Sequence, residues 1–147
     1  MLGAAEAPVN VRPRDRFSKV VALTPTSVAD FARSVGDQNP AHHDEGFAAQ
    51  TRFKRVIASG TQTTGLLMAL SASHFSQQGA MLGLEFWFRF RKPVFADEMI
   101  RLEWLVICVK PNPRLGGYLV DLRGRVQNQA GETAVGAKGR VLVTDQL

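Results

Sequence analysis

The chain has 147 residues, 45% of them hydrophobic and 21% charged, with a formal net charge of +5. That length supports one domain with a real core and excludes two ordinary ones, and the composition excludes disorder, collagen and coiled coil. The single cysteine, Cys108, excludes an intrachain disulfide and a thiolate metal cluster, and within WLVICV it reads as a small core or interface residue.

The positive balance favours an anionic partner. Its carriers (Arg12, Arg14, Arg52, Lys54, Arg55, Arg89, Arg91, Lys92, Arg123 and Arg125) are scattered along the sequence instead of forming one dense run with exposed aromatics, so nucleic acid is not expected. No apolar run approaches the ~18 residues of a membrane span. The opening MLGAAEAPVNVRPRDR lacks the basic and apolar regions of a signal peptide. No membrane insertion is expected, and the cytoplasm is the expected compartment.

Residues 1–15, with Pro8 and Pro13, read as a loosely held N-terminal arm, and residues 16–147 as one domain. RFSKVVAL carries a short strand pattern. Thr24 or Thr26 can cap a helix through SVADFARSV, whose Val28, Phe31, Ala32 and Val35 form one apolar face. Gly36 stops that helix, Asn39-Pro40 opposes its continuation, and Asp44 can cap a short second helix in EGFAAQ. TQTTGLLMALSASHF combines Leu66, Leu67, Met68 and Leu70 with small residues and almost no charge, which predicts a buried helix.

From Met81 the period changes to two. Phe86, Phe88 and Phe90 face one way and Glu85, Trp87, Arg89 and Arg91 the other, as on a half-buried antiparallel strand. EMIRLEWLVICV, GYLVDLRGRVQ and ETAVGAKGRVLV follow as long strands, with turns at Gly116-Gly117 and NQAG. The expected fold is α+β, an antiparallel sheet wrapped around one long central helix. Such a sheet exposes edge strands, and Trp87, Trp104 and Ile107, expected to point outward, make a homodimer the natural cover.

The polar stretch SVGDQNPAHHDEGFAA, residues 34–49, places the titratable groups between the first two helices. Gly36 frees the backbone beside Asp37, and Asn39-Pro40 imposes a turn, so the five-residue offset lets Asp37 and His42 point into one cavity. A carboxylate and an imidazole sharing one water make that water a nucleophile near neutral pH. A metal is not expected: adjacent His42 and His43 diverge, and no third His or Cys supports them.

FARSVGDQNPAHHDEGFAA resembles the D-x-N-P-x-H signature of the MaoC-like, (R)-specific enoyl-CoA hydratases. FKRVIASGTQTTGLLMAL resembles the segment entering that family's central helix, and FWFRFRKPVFADEMIRLE its characteristic strand and turn, so the likeness spans roughly residues 17–143. The resemblance implies a hotdog fold and reversible syn hydration of a trans-2-enoyl thioester to the (R)-3-hydroxyacyl product. It makes Asp37 and His42 the catalytic dyad, with Asn39 shaping the turn or touching substrate, and places an oxyanion donor at the Gly60 amide. A helix N-terminus there favours an anion for independent reasons.

Two departures stand out: Ser59 replaces the histidine common before the glycine, which bears on substrate contact, and Ala41 replaces a larger aliphatic residue. His43 is not a motif position and reads as a supporting or solvated side chain. No metal, flavin or nicotinamide is implied; coenzyme A or acyl carrier protein enters as substrate carrier, with Arg89, Arg91, Lys92 and the cluster at residues 52–55 as candidates for its phosphates. A hotdog thioesterase and a non-catalytic acyl-CoA binding domain are the alternatives.

Overall fold

A computed structural model describes residues 10–145 and Leu147. Of the arm expected over residues 1–15, residues 1–9 lie outside the described ones. Residues 10–15 are fastened to the sheet. Val11 is buried in the core, Arg14 N–H donates to Val106 O at 2.8 Å, and Val106 N–H donates to Asp15 O at 2.8 Å.

Strand β1, Arg16–Ala22, leads into helix α1, Pro25–Ser34. Thr24 is its cap. Thr24 Oγ1 accepts from Ser27 N–H at 3.0 Å and Ser27 Oγ accepts from Thr24 N–H at 3.0 Å, so two backbone donors at the helix start are satisfied reciprocally. Val28 and Ala32 of the apolar face are wholly buried. The chain leaves α1 through Gly36, whose φ of 76° is left-handed and costs glycine little. A 3-10 turn, Pro40–His42, precedes helix α2, Glu45–Ala49, where Asp44 Oδ1 accepts from Phe47 N–H at 2.9 Å.

Helix α3, Gly60–Phe75, is followed by β2, Ala80–Phe90, β3, Met99–Asn112, β4, Gly117–Gln127, and β5, Thr133–Thr144. The five strands form one antiparallel sheet in the order β1-β3-β4-β5-β2, which leaves β1 and β2 at its edges. Thr63, Leu67, Ser71 and Phe75, spaced four apart on α3, are all buried. Leu67 shares the core with Ile100, Leu102, Val106, Val120, Val126, Val135 and Val141, the inward residues of the strands. Each such side chain contributes about 1.5–3 kcal/mol relative to exposure. Among the described residues no helix is long and apolar enough to cross a membrane.

Trp104 corrects one expectation. It was expected to point outward toward a second subunit, yet it is the largest wholly buried side chain, and its indole Nε1–H donates to Leu67 O on α3 at 2.7 Å. Apolar residues on both faces of EWLVICV conceal the alternation, but the register resolves it: Trp104 pairs with Gly124, where any β-carbon would collide with the indole. Phe86 and Phe88 pack on the core as expected, whereas Phe90, on the same face, reaches past it and is exposed beside the start of α3. Trp87 points the other way and is exposed.

Candidate active site

The loop after α1 brings its titratable groups against the N-terminus of α3. Asn39 caps the 3-10 turn, its Oδ1 accepting from Ala41 N–H at 3.1 Å, so its side chain is committed to the backbone. The turn delivers His42 into a buried position, 6% exposed. The strand-like segment before α3 is tied to the same turn, with Ile57 N–H donating to Ala41 O at 3.2 Å.

Asp37 is held from both sides. Its Oδ1 accepts from Asn39 N–H at 3.0 Å, and its Oδ2 accepts from Ser59 Oγ–H at 2.8 Å. The Asn39 amide, then the Ser59 hydroxyl, hold the carboxyl below its usual value, with His42 and His43 adding to this and burial opposing it. Asp37 is therefore a carboxylate at neutral pH.

The imidazole of His42 has its tautomer assigned by its partner. Nδ1 lies 2.7 Å from Ile57 O, which can only accept, so Nδ1 carries the proton and Nε2 of the neutral ring presents a lone pair. That Nε2 faces Asp37 Oδ2 at 3.5 Å. With the ring neutral, two acceptors confront each other there. The other histidine does different work: His43 Nε2–H donates to the main-chain O of Asp37 at 2.8 Å, which braces the turn.

Ser59, only 1% exposed, is the N-cap of α3 and its hydroxyl is fully engaged. Since its one proton goes to the Asp37 carboxylate, the 2.5 Å contact with Thr61 Oγ1 must be donated by the threonine, and Thr61 N–H donates to Ser59 Oγ at 3.2 Å as well. A directional chain results, from Thr61 through Ser59 to Asp37. Ser59 O takes the N–H groups of Gln62 and Thr63, at 3.0 and 3.2 Å, which leaves the Gly60 N–H outside these bonds. Gly60 sits against Phe90, where an added β-carbon would lie 2.9 Å from the ring.

The structure thus brings together Asp37, His42, Ser59 and Gly60, with Asn39 and His43 as supports. Sequence reasoning missed Thr61 and Phe90; the threonine two residues beyond a polar cap was the available signal for one, and the glycine facing a phenylalanine-rich strand for the other. Arg89, Arg91 and Lys92 are not part of this cluster. Arg89 lies on the sheet's outward face, Arg91 leans over Gly136, and Lys92 pairs with Glu132. Arg55 stacks its guanidinium on the Phe95 ring at 3.7 Å.

Comparison with known proteins identifies the family. The MaoC like domain family matches residues 9–112. The chain is 33% identical over 92 residues to a 3-hydroxybutyryl-CoA dehydratase of Methylorubrum extorquens, a match covering 63% of the chain and only 58% of that protein. It is 31% identical over 109 residues to the (R)-specific enoyl-CoA hydratase of Aeromonas caviae, covering 74% of the chain and 77% of the relative. The solved (R)-hydratase of A. caviae superposes with a TM-score of 0.83 at 25% identity, over 92% of this chain and 98% of that one. An R-hydratase of Pseudomonas aeruginosa superposes with a TM-score of 0.84 at 26% identity, over 95% and 86%. The chain is a hotdog-fold member of the MaoC-like hydratase and dehydratase family.

Proposed function

We propose that the chain catalyses reversible syn addition of water to a trans-2-enoyl thioester, giving the (R)-3-hydroxyacyl thioester. One observation carries this: Asp37 Oδ2 and His42 Nε2, both acceptors, face each other at 3.5 Å beside the N-terminus of α3. A water between them donates a hydrogen bond to each, which fixes its oxygen lone pair toward the substrate. The oxygen forms a bond to C3, one water proton passes to the dyad, and the dyad delivers a proton to C2 as the double bond is consumed, the other water proton staying on the new hydroxyl. Asp37 and His42 share these transfers as a coupled pair, so the acid and base are properties of the pair.

Negative charge develops on the thioester oxygen during attack. The Gly60 N–H, at the positive end of α3, is the donor for it. Ser59 and Thr61 serve by holding Asp37 in place, and Asn39 and His43 by holding the turn. The reaction needs no metal or redox cofactor; coenzyme A or acyl carrier protein arrives as the carrier of the acyl group. The cytoplasm is the proposed compartment and residues 16–147 the catalytic domain.

The active species is proposed to be a homodimer. Strand β2 has one unpaired edge, whose free backbone groups are a liability that edge-to-edge pairing with a second copy removes. A stable monomer in sedimentation at micromolar concentration would refute this part.

Purified protein given crotonyl-CoA tests the function. Loss of the enoyl absorbance without free thiol, together with a product of (R) configuration, is the expected result. Release of free thiol would mean hydrolysis of the thioester, and binding without turnover would mean a non-catalytic acyl-binding domain; either overturns the proposal.

A further inference from the structure

The scattered basic residues of the sequence converge on one face. Three adjacent cross-strand rows point away from α3: Arg16, Leu105, Arg123, Lys138 and Trp87; Ser18, Glu103, Arg125, Gly136 and Arg89; and Val20, Arg101, Gln127 and Thr133. The residues alternating with them, among them Trp104, Leu122, Val126 and Ala137, are buried, so these rows form the outer surface of the sheet. They hold six cations and one carboxylate. The next outward row, Asp121, Arg140 and Glu85, holds one cation and two carboxylates and so bounds this basic field on one side.

Glu103 cannot neutralise this field. Its carboxylate takes Arg125 at 3.1 Å, Arg16 at 3.2 Å and Arg101 at 3.8 Å, orienting three guanidiniums with one negative charge. Among the described residues, Arg89, Arg123 and Lys138 have no carboxylate within ion-pair distance. Beside them runs a groove of about 680 Å³, where exposed Leu84, Trp87 and Ile107 adjoin Arg123 and Lys138, while Arg140 at its far side is paired with Asp121 at 2.7 Å and with Glu85 at 4.0 Å. Apolar anchors among arginines are the composition of a protein interface. A base-stacking platform is disfavoured: Lys138 Nζ lies over the Trp87 ring at 5.5 Å, and the other exposed apolar groups in the groove are aliphatic.

We propose that this outer sheet face docks an acidic acyl carrier protein, which presents the thioester to the Asp37–His42 site. This rests on the hydration reading for its substrate, but the docking itself rests on charge complementarity and the groove. Position favours the same occupant. Arg89 ends the basic field on β2, and the next residue, Phe90, lies on the opposite face against Gly60. A flexible pantetheine arm rounding the end of β2 therefore enters beside the proposed oxyanion donor.

The test uses the full chain and an Arg123→Glu/Lys138→Glu variant, with crotonyl-CoA and crotonyl-acyl carrier protein as parallel substrates, and with binding of holo-acyl carrier protein measured separately by calorimetry. Charge reversal is expected to lower kcat/KM for the carrier-protein substrate ~10-fold or more, through KM and with strong salt dependence, as for an electrostatically guided encounter. Turnover of crotonyl-CoA is expected to stay unchanged, and holo-carrier affinity to fall in parallel. An Arg123→Gln/Lys138→Gln variant should give an intermediate loss and guards against a folding defect.

Unchanged kinetics and affinity with the carrier protein would overturn the proposal. So would equal losses with both substrates, which would point to coenzyme A phosphates, or charge-dependent binding of a single-stranded oligonucleotide with no carrier binding. If neither substrate turns over while holo-carrier affinity still falls on charge reversal, docking stands and the hydration reading fails.

Discussion

Ser59 Oγ–H donates at 2.8 Å to Asp37 Oδ2, the same oxygen that His42 Nε2 faces at 3.5 Å. One hydroxyl therefore positions the carboxylate oxygen on which the proposed water chemistry depends, and Thr61 Oγ1 in turn positions that hydroxyl. Ser59→Ala removes a hydrogen bond that stabilises the charged form of Asp37, so its pKa rises. Ionised Asp37 then requires a higher pH, and the acid limb of the kcat/KM profile is expected to move upward. Ser59→Thr keeps the hydroxyl and should restore much of the wild-type profile. The alanine variant also loses a helix cap, at about 1 kcal/mol, which a urea titration measures separately. An acid limb that stays in place would show that Ser59 acts only as a cap.

The dyad itself has a sharper signature. Asp37→Asn and His42→Ala should each lower hydration turnover by ~10²-fold or more, the scale for positioned acid and base groups. If both groups hold one water, the double variant should be little worse than the poorer single one, because residues acting as a unit are strongly non-additive. His43→Ala loses only the bond from Nε2 to the Asp37 carbonyl, so its loss should be smaller. Near-normal turnover by both single dyad variants, with native circular dichroism, would sink the mechanism.

The elements that carry local chemistry could be seen in the sequence. Thr24, Gly36 and Asp44 mark helix ends through their own side chains or backbone freedom, and the period-two strands show in Val120, Leu122, Val135 and Ala137. What depended on register could not be seen. Trp104 sits in a strand apolar on both faces, and only its pairing opposite Gly124 sends it inward. Arg16, Arg89, Arg101, Arg123 and Arg125 come from four strands, and the sheet alone makes them neighbours. At the site, Asp37, His42 and Gly60 could be picked out by motif, whereas the engagement of Ser59 with Asp37 spans 22 positions and needed the fold.

His74 gives the fold a pH dependence of known sign. Its ring stacks on Phe17 at 3.7 Å and meets Phe75 edge-on. Burial pushes the imidazole below its usual 6.5, with Asp15 opposing. Because the folded pKa lies below the unfolded one, the unfolded chain binds more protons between them, so stability is lost as pH falls from 6.5 through the folded pKa. The urea midpoint is expected to drop between about pH 7.5 and about pH 5.5, and His74→Phe, which keeps the stacking but cannot titrate, should flatten that slope. An unaltered slope in the phenylalanine variant would assign the dependence to other groups.

Gly60 and Phe90 allow the proposed oxyanion position to be probed without touching the dyad. A β-carbon at Gly60 would lie 2.9 Å from Phe90 Cε1 and 3.0 Å from Cζ, too close for either to stay. Phe90 is exposed, so its ring can swing away, and Gly60→Ala should fold with little loss of stability. Catalysis is another matter, because the displaced ring or the new methyl crowds the amide proposed to meet the thioester oxygen. Removal of one such donor interaction costs ~10²-fold in turnover when complete, and crowding should cost a part of it. If the clash with Phe90 is the cause, the Gly60→Ala substitution should be milder in a Phe90→Ala background, so the pair gives a clear coupling in a double-mutant cycle. Full additivity would instead mean that the methyl group obstructs the thioester directly, and an active Gly60→Ala enzyme with unchanged kcat and KM would remove the amide from the proposed mechanism.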